Sequence, residues 1–497
     1  MTGSNMVVED DAMRYKRRPR LEEARLPHLF SFVSRHGYKL LTLIPFAYLI
    51  GVVVKYAVAV PYWDQWDLVP LLDKAYRGEI TLHDLWAQHN EHRPLFPRLI
   101  MLGLARLTRW NISCELAMNI VLALGLFAVF VCQIRITQRK LGVAGLRWAI
   151  PINSVIVFSI SQFQNWLWGW QIQMILSVLA VVGGIVLLAN GDFSWRRFGG
   201  AALLGVVATY SFANGVLFWP LGILILLITT RGRRERKASV AGWILLSGLT
   251  LATYFWHYHK PVEHPPLNLV FQMPVEYARY ALKFIGGICG GFSGSTYCAD
   301  GDLALGAGLA GIIAVGGASW WLARRQIASI AALLPYAGMS AYSLGSALLT
   351  GVGRVGFGSQ QALISRYCTL AVPLWTSLSV LLLLLVNGGS VAAEADGLPK
   401  KSDDRRVSEG CRALAAYLLV GAIALLILSS LFSTLGAKLM SEGQASGRQC
   451  LLELAANPRP GIDYRRLFAL HPRPNVIVER YPILVRNRLS VFRNPRQ

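Results

Sequence analysis

The sequence predicts an all-α polytopic membrane protein with about eleven transmembrane helices. Hydrophobic residues make up 54% of the 497-residue chain and charged residues only 15%, whereas a soluble chain of this length carries roughly a quarter charged residues. Apolar runs of roughly twenty residues recur along the chain, and about that many helical residues cross a hydrocarbon core of ~30 Å. Because a helix satisfies its own backbone polar groups in lipid, these repeated runs indicate helical crossings.

The predicted crossings follow one another along most of the chain. They are residues 39–60, 112–134, 148–163, 171–190, 199–213, 214–230, 238–257, 303–323, 327–349, 368–387 and 413–433. The segments 199–213 and 214–230 run together with no clear boundary between them. Segment 281–297 is apolar but short and glycine-rich, so we expect it to be re-entrant or interfacial rather than a full crossing.

The distribution of Lys and Arg predicts the orientation, because short cytoplasmic loops of multi-pass proteins are enriched in these residues. The basic stretches lie within 1–38 and at 135–140, 195–197, 231–237 and 324–325. We therefore expect a cytoplasmic N-terminal segment at 1–38, a transmembrane domain at 39–433 and an extracytoplasmic tail at 434–497. The first loop, residues 61–111, is then extracytoplasmic. The expected location is the plasma membrane, as a multi-pass protein of a bacterial inner membrane.

The net charge of +22 does not indicate nucleic-acid binding. The basic residues lie mainly on the predicted cytoplasmic loops and the tail, with no nucleic-acid recognition motif beside them. Attraction to anionic lipid headgroups explains them, so membrane lipids are expected partners and nucleic acid is not. The seven cysteines show neither a CxxC motif nor a metal-binding spacing, and we interpret them as small apolar residues.

Acids and histidines are concentrated in the first loop. Residues 61–98 (PYWDQWDLVPLLDKAYRGEITLHDLWAQHNEHRPLFPR) contain six carboxylates and three histidines, whereas the acids between positions 135 and 260 are Asp192 and Glu235. Such a concentration beside predicted membrane helices favours a site that performs chemistry over a plain connection.

Local signals predict two or three short helices within the first loop. Apolar residues follow Leu68 with helical periodicity, and Gly78 suits a helix end. Thr81 and Asp84 have the spacing of a capping box, with Asp in place of the usual Glu. These helices are expected to lie on the outer surface, between the first two crossings.

The pattern YWDQWD at 62–67 follows the first predicted crossing directly. In this layout the chain resembles the GT-C superfamily of polytopic membrane glycosyltransferases, in which juxtamembrane helices and an essential acid follow the first transmembrane helix. Asp64 stands at the place of that acid and Asp67 is the second candidate, but the adjacent Asp-Glu pair of several GT-C families is absent. The resemblance covers the gross topology, and the sequence match is confined to the first loop. It implies transfer of a sugar from a polyprenyl-phosphate-linked donor to a saccharide, lipid or protein acceptor of the cell envelope.

Such a transfer with inversion needs a base for the acceptor proton and positive charge for the leaving phosphate. The resemblance implies Asp64 as the general base, with Asp67 as the alternative base or as an orienting partner. A carboxylate partly withdrawn from water has a raised pKa and can act as a base near neutrality. The alternative is structural: both acids cap the helix that begins near Val69, or pair with Arg93 or Arg98.

A second cluster in the first loop consists of His89, Glu91, His92 and Arg93. On a short helix over 81–93, the two histidines can share a face. These four side chains are candidates to bind the carrier phosphate, to contact the acceptor, or to help hold a divalent cation beside the two aspartates. Histidine ligands would favour a transition metal. The alternative is a solvated, hydrogen-bonded helix, so no cofactor is certain and the metal ligands stay unknown.

A third cluster lies in the predicted outer loop 351–367, GVGRVGFGSQQALISRY. Its four glycines allow the backbone to approach a ligand closely. Arg354 and Arg366 are expected on the same side as Asp64, and guanidinium groups suit the phosphate of a lipid carrier. Arg366 lies at the start of the predicted crossing 368–387, and for it the alternative is an anchor to ordinary lipid headgroups.

Two other functions stay open. A polytopic transporter or flippase of lipid-linked saccharides is the main alternative, but it would place ionisable residues within helices near the membrane midplane. The predicted crossings contain few such residues beyond Lys55. A non-catalytic scaffold subunit would need no cluster of acids.

Overall fold

A computed structural model describes residues 25–290, 301–395, 402–456 and 464–493. Within these ranges the chain forms α-helices and short 3-10 helices and no β-strand. An isolated β-bridge joins His89 and His92. The all-α prediction is therefore confirmed for this part of the chain.

The α-helices are numbered in chain order. They are α1 Arg25–Tyr56, α2 Val69–Arg77, α3 Leu82–Trp86, α4 Leu95–Thr108, α5 Ile112–Leu141, α6 Ala149–Val157, α7 Phe163–Leu167, α8 Ile172–Ala189, α9 Trp195–Thr209, α10 Phe218–Thr229, α11 Arg233–Phe255, α12 Leu269–Gln272, α13 Pro274–Gly290, α14 Asp302–Arg324, α15 Ile330–Arg354, α16 Cys368–Ala395, α17 Ser402–Ala456 and α18 Pro474–Arg486. Short 3-10 helices connect several of them, and the one at Trp63–Leu68 carries both candidate acids.

Eight stretches of the described chain are helical, long and apolar enough to cross a membrane. They are Gly37–Tyr56, Ile112–Leu141, Ala144–Leu167, Gly169–Ala189, Arg233–Phe255, Asp302–Arg324, Ser365–Asn387 and Glu409–Ala456. They overlap eight of the eleven predicted crossings and are compatible with an integral membrane protein.

The other three predicted crossings are helical but lie outside this set. Segments 199–213 and 214–230 form α9 and α10, which are 15 and 12 residues long. The chain turns at residues 210–212 between them, which locates the boundary that the hydrophobic pattern did not show. Segment 327–349 forms most of α15, a helix of 25 residues with Pro335 inside it.

Segment 281–297 contributes the last part of α13, and residues 291–297 lie outside the described ranges, as do residues 1–24 of the N-terminal segment. α13 packs closely on α14. A Cβ atom on Gly286 would lie 1.8 Å from the carbonyl oxygen of Ala304, and one on Gly308 would lie 1.9 Å from that of Leu282. Glycine at both positions therefore permits this close approach of the two helices.

A second hydrophobic core, separate from the main helical core, positions the candidate site. It joins side chains of the first loop, such as Trp66 and Leu72, to Ile477 and Leu484, all fully buried. α17 continues past residue 433 to Ala456, and the C-terminal segment, residues 464–493, then packs on the first loop through α18.

Candidate functional site

The first loop and the C-terminal segment, with several other parts of the chain, enclose a cavity of about 510 Å³. Six of the eight predicted site residues line it: Asp64, Asp67, Glu91, His92, Arg354 and Arg366. His89 lies beside Asp67, and Arg93 contacts other parts of the chain. Residues from loops far apart in sequence therefore meet at one cavity.

The 3-10 helix Trp63–Leu68 aims both aspartates at the cavity. Its other face carries Gln65 and Trp66, which have no exposed surface. Since a 3-10 helix repeats every three residues, Asp64 and Asp67 share one face. The amide of Gln65 donates to Glu115 Oε2 at 2.5 Å and its oxygen accepts from the Tyr62 backbone N–H at 3.1 Å. These bonds fix the orientation of the helix.

Asp64 is the less constrained of the two acids. Its carboxylate is half-buried and makes no hydrogen bond to any other described residue. Burial raises the pKa of this carboxyl, the positive charges of His89 and Arg366 oppose that shift, and the neighbouring charge of Asp67 adds to it. Asp64 therefore has the character of a carboxylate that can accept a proton.

Asp67 has the opposite character. Arg480 of α18 pairs with Asp67 Oδ1, and His89 Nε2 donates to Oδ2 at 3.2 Å. Burial opposes ionisation, but the hydrogen bonds from His89 and Arg480 outweigh it and lower the pKa of Asp67 to about 2. Asp67 is thus ionised near neutral pH. The pKa values of these two acids, three residues apart, are shifted in opposite directions, as in sites where two carboxyls take different roles.

One set of side chains has the spacing to hold a metal ion. Ligand atoms of Asp64, Asp67 and His89 lie within 4.8 Å of one another. The guanidinium of Arg480 already supplies a fixed positive charge at Asp67, however, and His89 Nε2 must carry its proton in order to donate to Asp67. A protonated ring nitrogen cannot ligate a metal. The side chains as arranged therefore do not fit a divalent cation.

Glu91 forms the centre of a second group, the Glu91 cluster, with Arg354, His92 and His264. Arg354 pairs with Glu91 Oε1, and His264 Nδ1 lies 3.7 Å from Oε2. Burial opposes ionisation of Glu91, but the charges of His92 and Arg354 prevail and lower its pKa to about 2. Burial lowers the pKa of His92 to about 4, so its imidazole is neutral near pH 7. The guanidinium of Arg354 is therefore compensated by Glu91.

The chain around His89 and His92 is a turn and not the predicted helix. α3 ends at Trp86, and the backbones of His89 and His92 exchange hydrogen bonds of 2.8 and 2.9 Å. Asn90 in this turn adopts a φ of +49°, which Asn tolerates better than most residues. The predicted shared helical face is wrong: His89 faces Asp67, while His92 stacks on Phe212 with ring centres 4.2 Å apart.

Arg93 connects the first loop to the end of α11. Its buried guanidinium donates to the backbone oxygens of Tyr254 at 2.6 Å, Trp86 at 3.0 Å, and Trp256. It does not line the cavity. The structure thus gives Arg93 a scaffold position and no contact with either candidate acid.

Arg366 differs from Arg354 in its surroundings. Its guanidinium lies over the rings of Trp168 and Tyr367, 5.7 and 5.4 Å from their centres. It has no ion pair with a described acid, although it lines the same cavity as Asp64. Its hydrogen-bond donors are therefore free for an anionic ligand.

Several residues of this site were not predicted from the sequence. The C-terminal segment contributes Arg480 and, on the cavity wall, His471 and Arg473. No local pattern distinguishes these residues from the rest of the Arg-rich tail. Glu115 did carry a signal, because an acid inside a predicted apolar crossing calls for a specific partner.

No protein-family model, no curated protein and no solved structure matches this chain.

Proposed function

We propose that the protein is a membrane glycosyltransferase that moves a sugar from a polyprenyl-phosphate-linked donor to an acceptor of the cell envelope, with Asp64 as general base. One observation carries the proposal. A half-buried carboxylate with a raised pKa and no hydrogen-bond partner among the described residues lines the same cavity as an arginine without an ion pair.

The proposed reaction uses these two groups on opposite sides of the sugar. The acceptor hydroxyl oxygen forms a bond to the anomeric carbon while the bond from that carbon to the phosphate oxygen breaks. Asp64 takes the hydroxyl proton, and Arg366 receives the charge that develops on the leaving phosphate. Attack opposite the leaving group inverts the anomeric configuration.

The other charged groups have supporting positions in this scheme. Asp67, held ionised by Arg480 and His89, favours protonation of Asp64 through its negative charge. Glu91 and Arg354 neutralise each other. Arg354 was predicted to bind phosphate, but it is better placed to form part of the cavity wall. The cavity of about 510 Å³ is within the usual range for small-ligand sites, roughly 300–1,000 Å³.

The setting proposed for this reaction is the outer face of a bacterial inner membrane. A cytoplasmic N-terminus would place the first loop and the C-terminal segment outside, where a lipid-linked sugar and not a nucleotide sugar is the available donor. The acceptor, a saccharide, a lipid or a protein, would enter from the same side. No metal is assigned to the reaction, because the described side chains of the acid cluster are engaged with one another and with Arg480.

The test is transfer by the purified, lipid-reconstituted protein from a panel of synthetic polyprenyl-phosphate sugars to an envelope extract. Asp64→Asn should lower the transfer rate by about 10²–10⁴-fold, the usual contribution of a general base. Glu79→Gln is the matched control, since Glu79 lies in the same loop but is exposed and outside the cavity. Undiminished transfer by the Asp64→Asn variant, or none by the wild type with any donor, contradicts the proposal. Movement of intact lipid-linked saccharide across the vesicles would instead favour a flippase.

A further inference from the structure

The C-terminal segment is anchored on the first loop at several points. Ile477 and Leu484 of α18 are fully buried in the second core. Asp73 of α2 accepts hydrogen bonds from Arg486 at 2.6 Å and Asn487 at 3.0 Å. The segment is therefore part of the same folded unit as the two candidate acids.

One anchor lies directly at the acids. The backbone N–H of Trp63 donates to the carbonyl oxygen of Leu470 at 2.7 Å. Trp63 has a φ of +49°, an unfavourable conformation for a residue with a bulky side chain. The contact with the C-terminal segment thus holds the residue before Asp64 in a conformation that it would not adopt alone.

Arg480 makes the most specific of these contacts. Its guanidinium donates to Asp67 Oδ1 and, at 2.9 Å, to the backbone oxygen of Trp66. A single nitrogen, Nη1, donates to both of these acceptors, which lie on consecutive residues. The side chain is only 19% exposed, so the positive charge is held in place beside the acids.

A divalent cation would have to bind the same carboxylate, since Asp67 belongs to the one group of described side chains with metal-ligand spacing. An ion shared by Asp64, Asp67 and His89 requires an unprotonated ring nitrogen on His89 and two carboxylates without another fixed cation. The guanidinium of Arg480 already pairs with Asp67 Oδ1, and the proton on His89 Nε2 points to Oδ2. A guanidinium supplies its positive charge through N–H groups, so His89 keeps its proton on Nε2. A metal ion bound to these side chains would displace both the guanidinium and that proton.

We propose that Arg480 is a positioning residue that holds Asp67 in the place of a divalent cation, so that the contact between Arg480 and Asp67 and metal binding at Asp64, Asp67 and His89 exclude each other. Removal of the guanidinium leaves two neighbouring carboxylates without a fixed cation. The acid cluster then becomes a metal site. This inference does not rest on sugar transfer, and its test does not measure transfer.

The experiment measures binding of Mn²⁺ to the full chain, purified in detergent, by electron paramagnetic resonance. The proteins compared are the wild type, D67N, R480M, R480K and the R480M/D67N double variant. We expect wild type, D67N and R480K to bind Mn²⁺ alike, because each lacks an available pair of carboxylates. R480M should bind Mn²⁺ at least about tenfold more tightly, and the added D67N substitution should remove that gain.

R486M is the matched control. Arg486 lies on the same helix and pairs with Asp73 and not with Asp67, so its loss removes a charged contact of that helix while Asp67 keeps its partner. Wild-type Mn²⁺ binding by R486M, together with the gain in R480M, supports the proposal.

Three results would overturn the proposal. They are Mn²⁺ binding by the wild type that D67N weakens, no gain in R480M, and an equal gain in R486M. If R480M fails to fold, the comparison of wild type with D67N still shows whether the wild type binds Mn²⁺ through Asp67, since both proteins keep Arg480.

Discussion

The side-chain amide of Gln65 donates a hydrogen bond of 2.5 Å to Glu115, a residue with no exposed surface. Trp110 donates to the other carboxylate oxygen at 2.8 Å. Glu115 therefore ties the first loop to the beginning of α5 through two buried donors. Because Gln65 lies between Asp64 and Asp67 on the opposite face of their 3-10 helix, this contact fixes the direction in which both acids point.

We expect Glu115→Ala to destabilise the protein. The donors of Gln65 and Trp110 would be buried without an acceptor, which typically lowers the free energy of unfolding by about 1–3 kcal/mol for each group. The melting temperature, followed by tryptophan fluorescence of the purified protein, measures the change. Glu79→Ala is the control, because the Glu79 side chain is 54% exposed. Equal melting temperatures for the two variants would exclude a structural role of Glu115.

The unpaired burial of Asp64 predicts that Asp64→Asn stabilises the protein near neutral pH. Burial raises the pKa of this carboxyl in the folded state. The associated stability is present below the unfolded pKa of about 3.9 and is lost as the pH rises through the raised folded value. Asn does not ionise, so the variant should melt above the wild type at pH 7, and the difference should vanish in acid. A variant that melts below the wild type at pH 7 would contradict this environment for Asp64.

Asp67→Asn should have the opposite effect. The folded pKa of Asp67 is about 2, so its stabilising contribution is present above about pH 3.9 and is lost as the pH falls through the folded value. Since the Asp67 side chain is 36% exposed, solvent screening reduces the contribution to about 1 kcal/mol. The same melting experiment at pH 7 and in acid measures it. If Asp64→Asn and Asp67→Asn changed the melting temperature in the same direction, Arg480 and His89 would not give Asp67 an environment different from that of Asp64.

The features that the sequence predicted well depend on neighbouring residues. Gly78 ends α2 with a φ of +74°, a conformation that glycine adopts without strain. Thr81 and Asp84 form the predicted reciprocal cap of α3, with bonds of 3.2 and 3.0 Å. Helical spans and caps of this kind can be predicted because their determinants lie within one or two turns of the chain.

The contacts of the site depend on residues far apart in sequence. Arg480 and Asp67 are separated by 413 positions, and Arg354 and Glu91 by 263. Hydrophobic periodicity indicates which face of a helix is buried, but it carries no information on which cation meets which acid. For this reason the sequence offered both Arg354 and Arg366 as phosphate ligands, whereas Arg354 is paired with an acid among the described residues and Arg366 is not.

Arg366→Gln is expected to weaken binding of the lipid-phosphate donor. The substitution removes the guanidinium that faces the cavity without an ion pair, and charge-assisted bonds to phosphate are roughly twice as strong as neutral ones. The KM for the donor in the transfer assay should rise about tenfold or more, with R366K intermediate. Arg279→Gln is the control, since that side chain is 56% exposed and pairs with Glu276. An unchanged KM in R366Q would remove Arg366 from the phosphate site.

The paired burial of Arg354 and Glu91 predicts non-additive effects on stability. Arg354→Met would leave the Glu91 carboxylate, which is 25% exposed, without a cation, and we expect a loss of about 2 kcal/mol in the free energy of unfolding. Burial lowers the pKa of both His92 and His264, so neither imidazole offers the permanent positive charge of a guanidinium. Adding Glu91→Gln should restore part of the loss, with a coupling of about 0.5–3 kcal/mol.

Denaturation of the wild type, the two single variants and the double variant measures this coupling between Arg354 and Glu91. Strictly additive changes would mean that the contact contributes nothing to folding. The same double variant also separates the two arginines: it removes the cation of the Glu91 cluster but leaves Arg366 in place. Its KM for the lipid-phosphate donor should therefore stay within about threefold of the wild-type value, or about 0.7 kcal/mol. A rise as large as that in R366Q would assign the phosphate to Arg354 as well, and would require the donor to break the contact with Glu91.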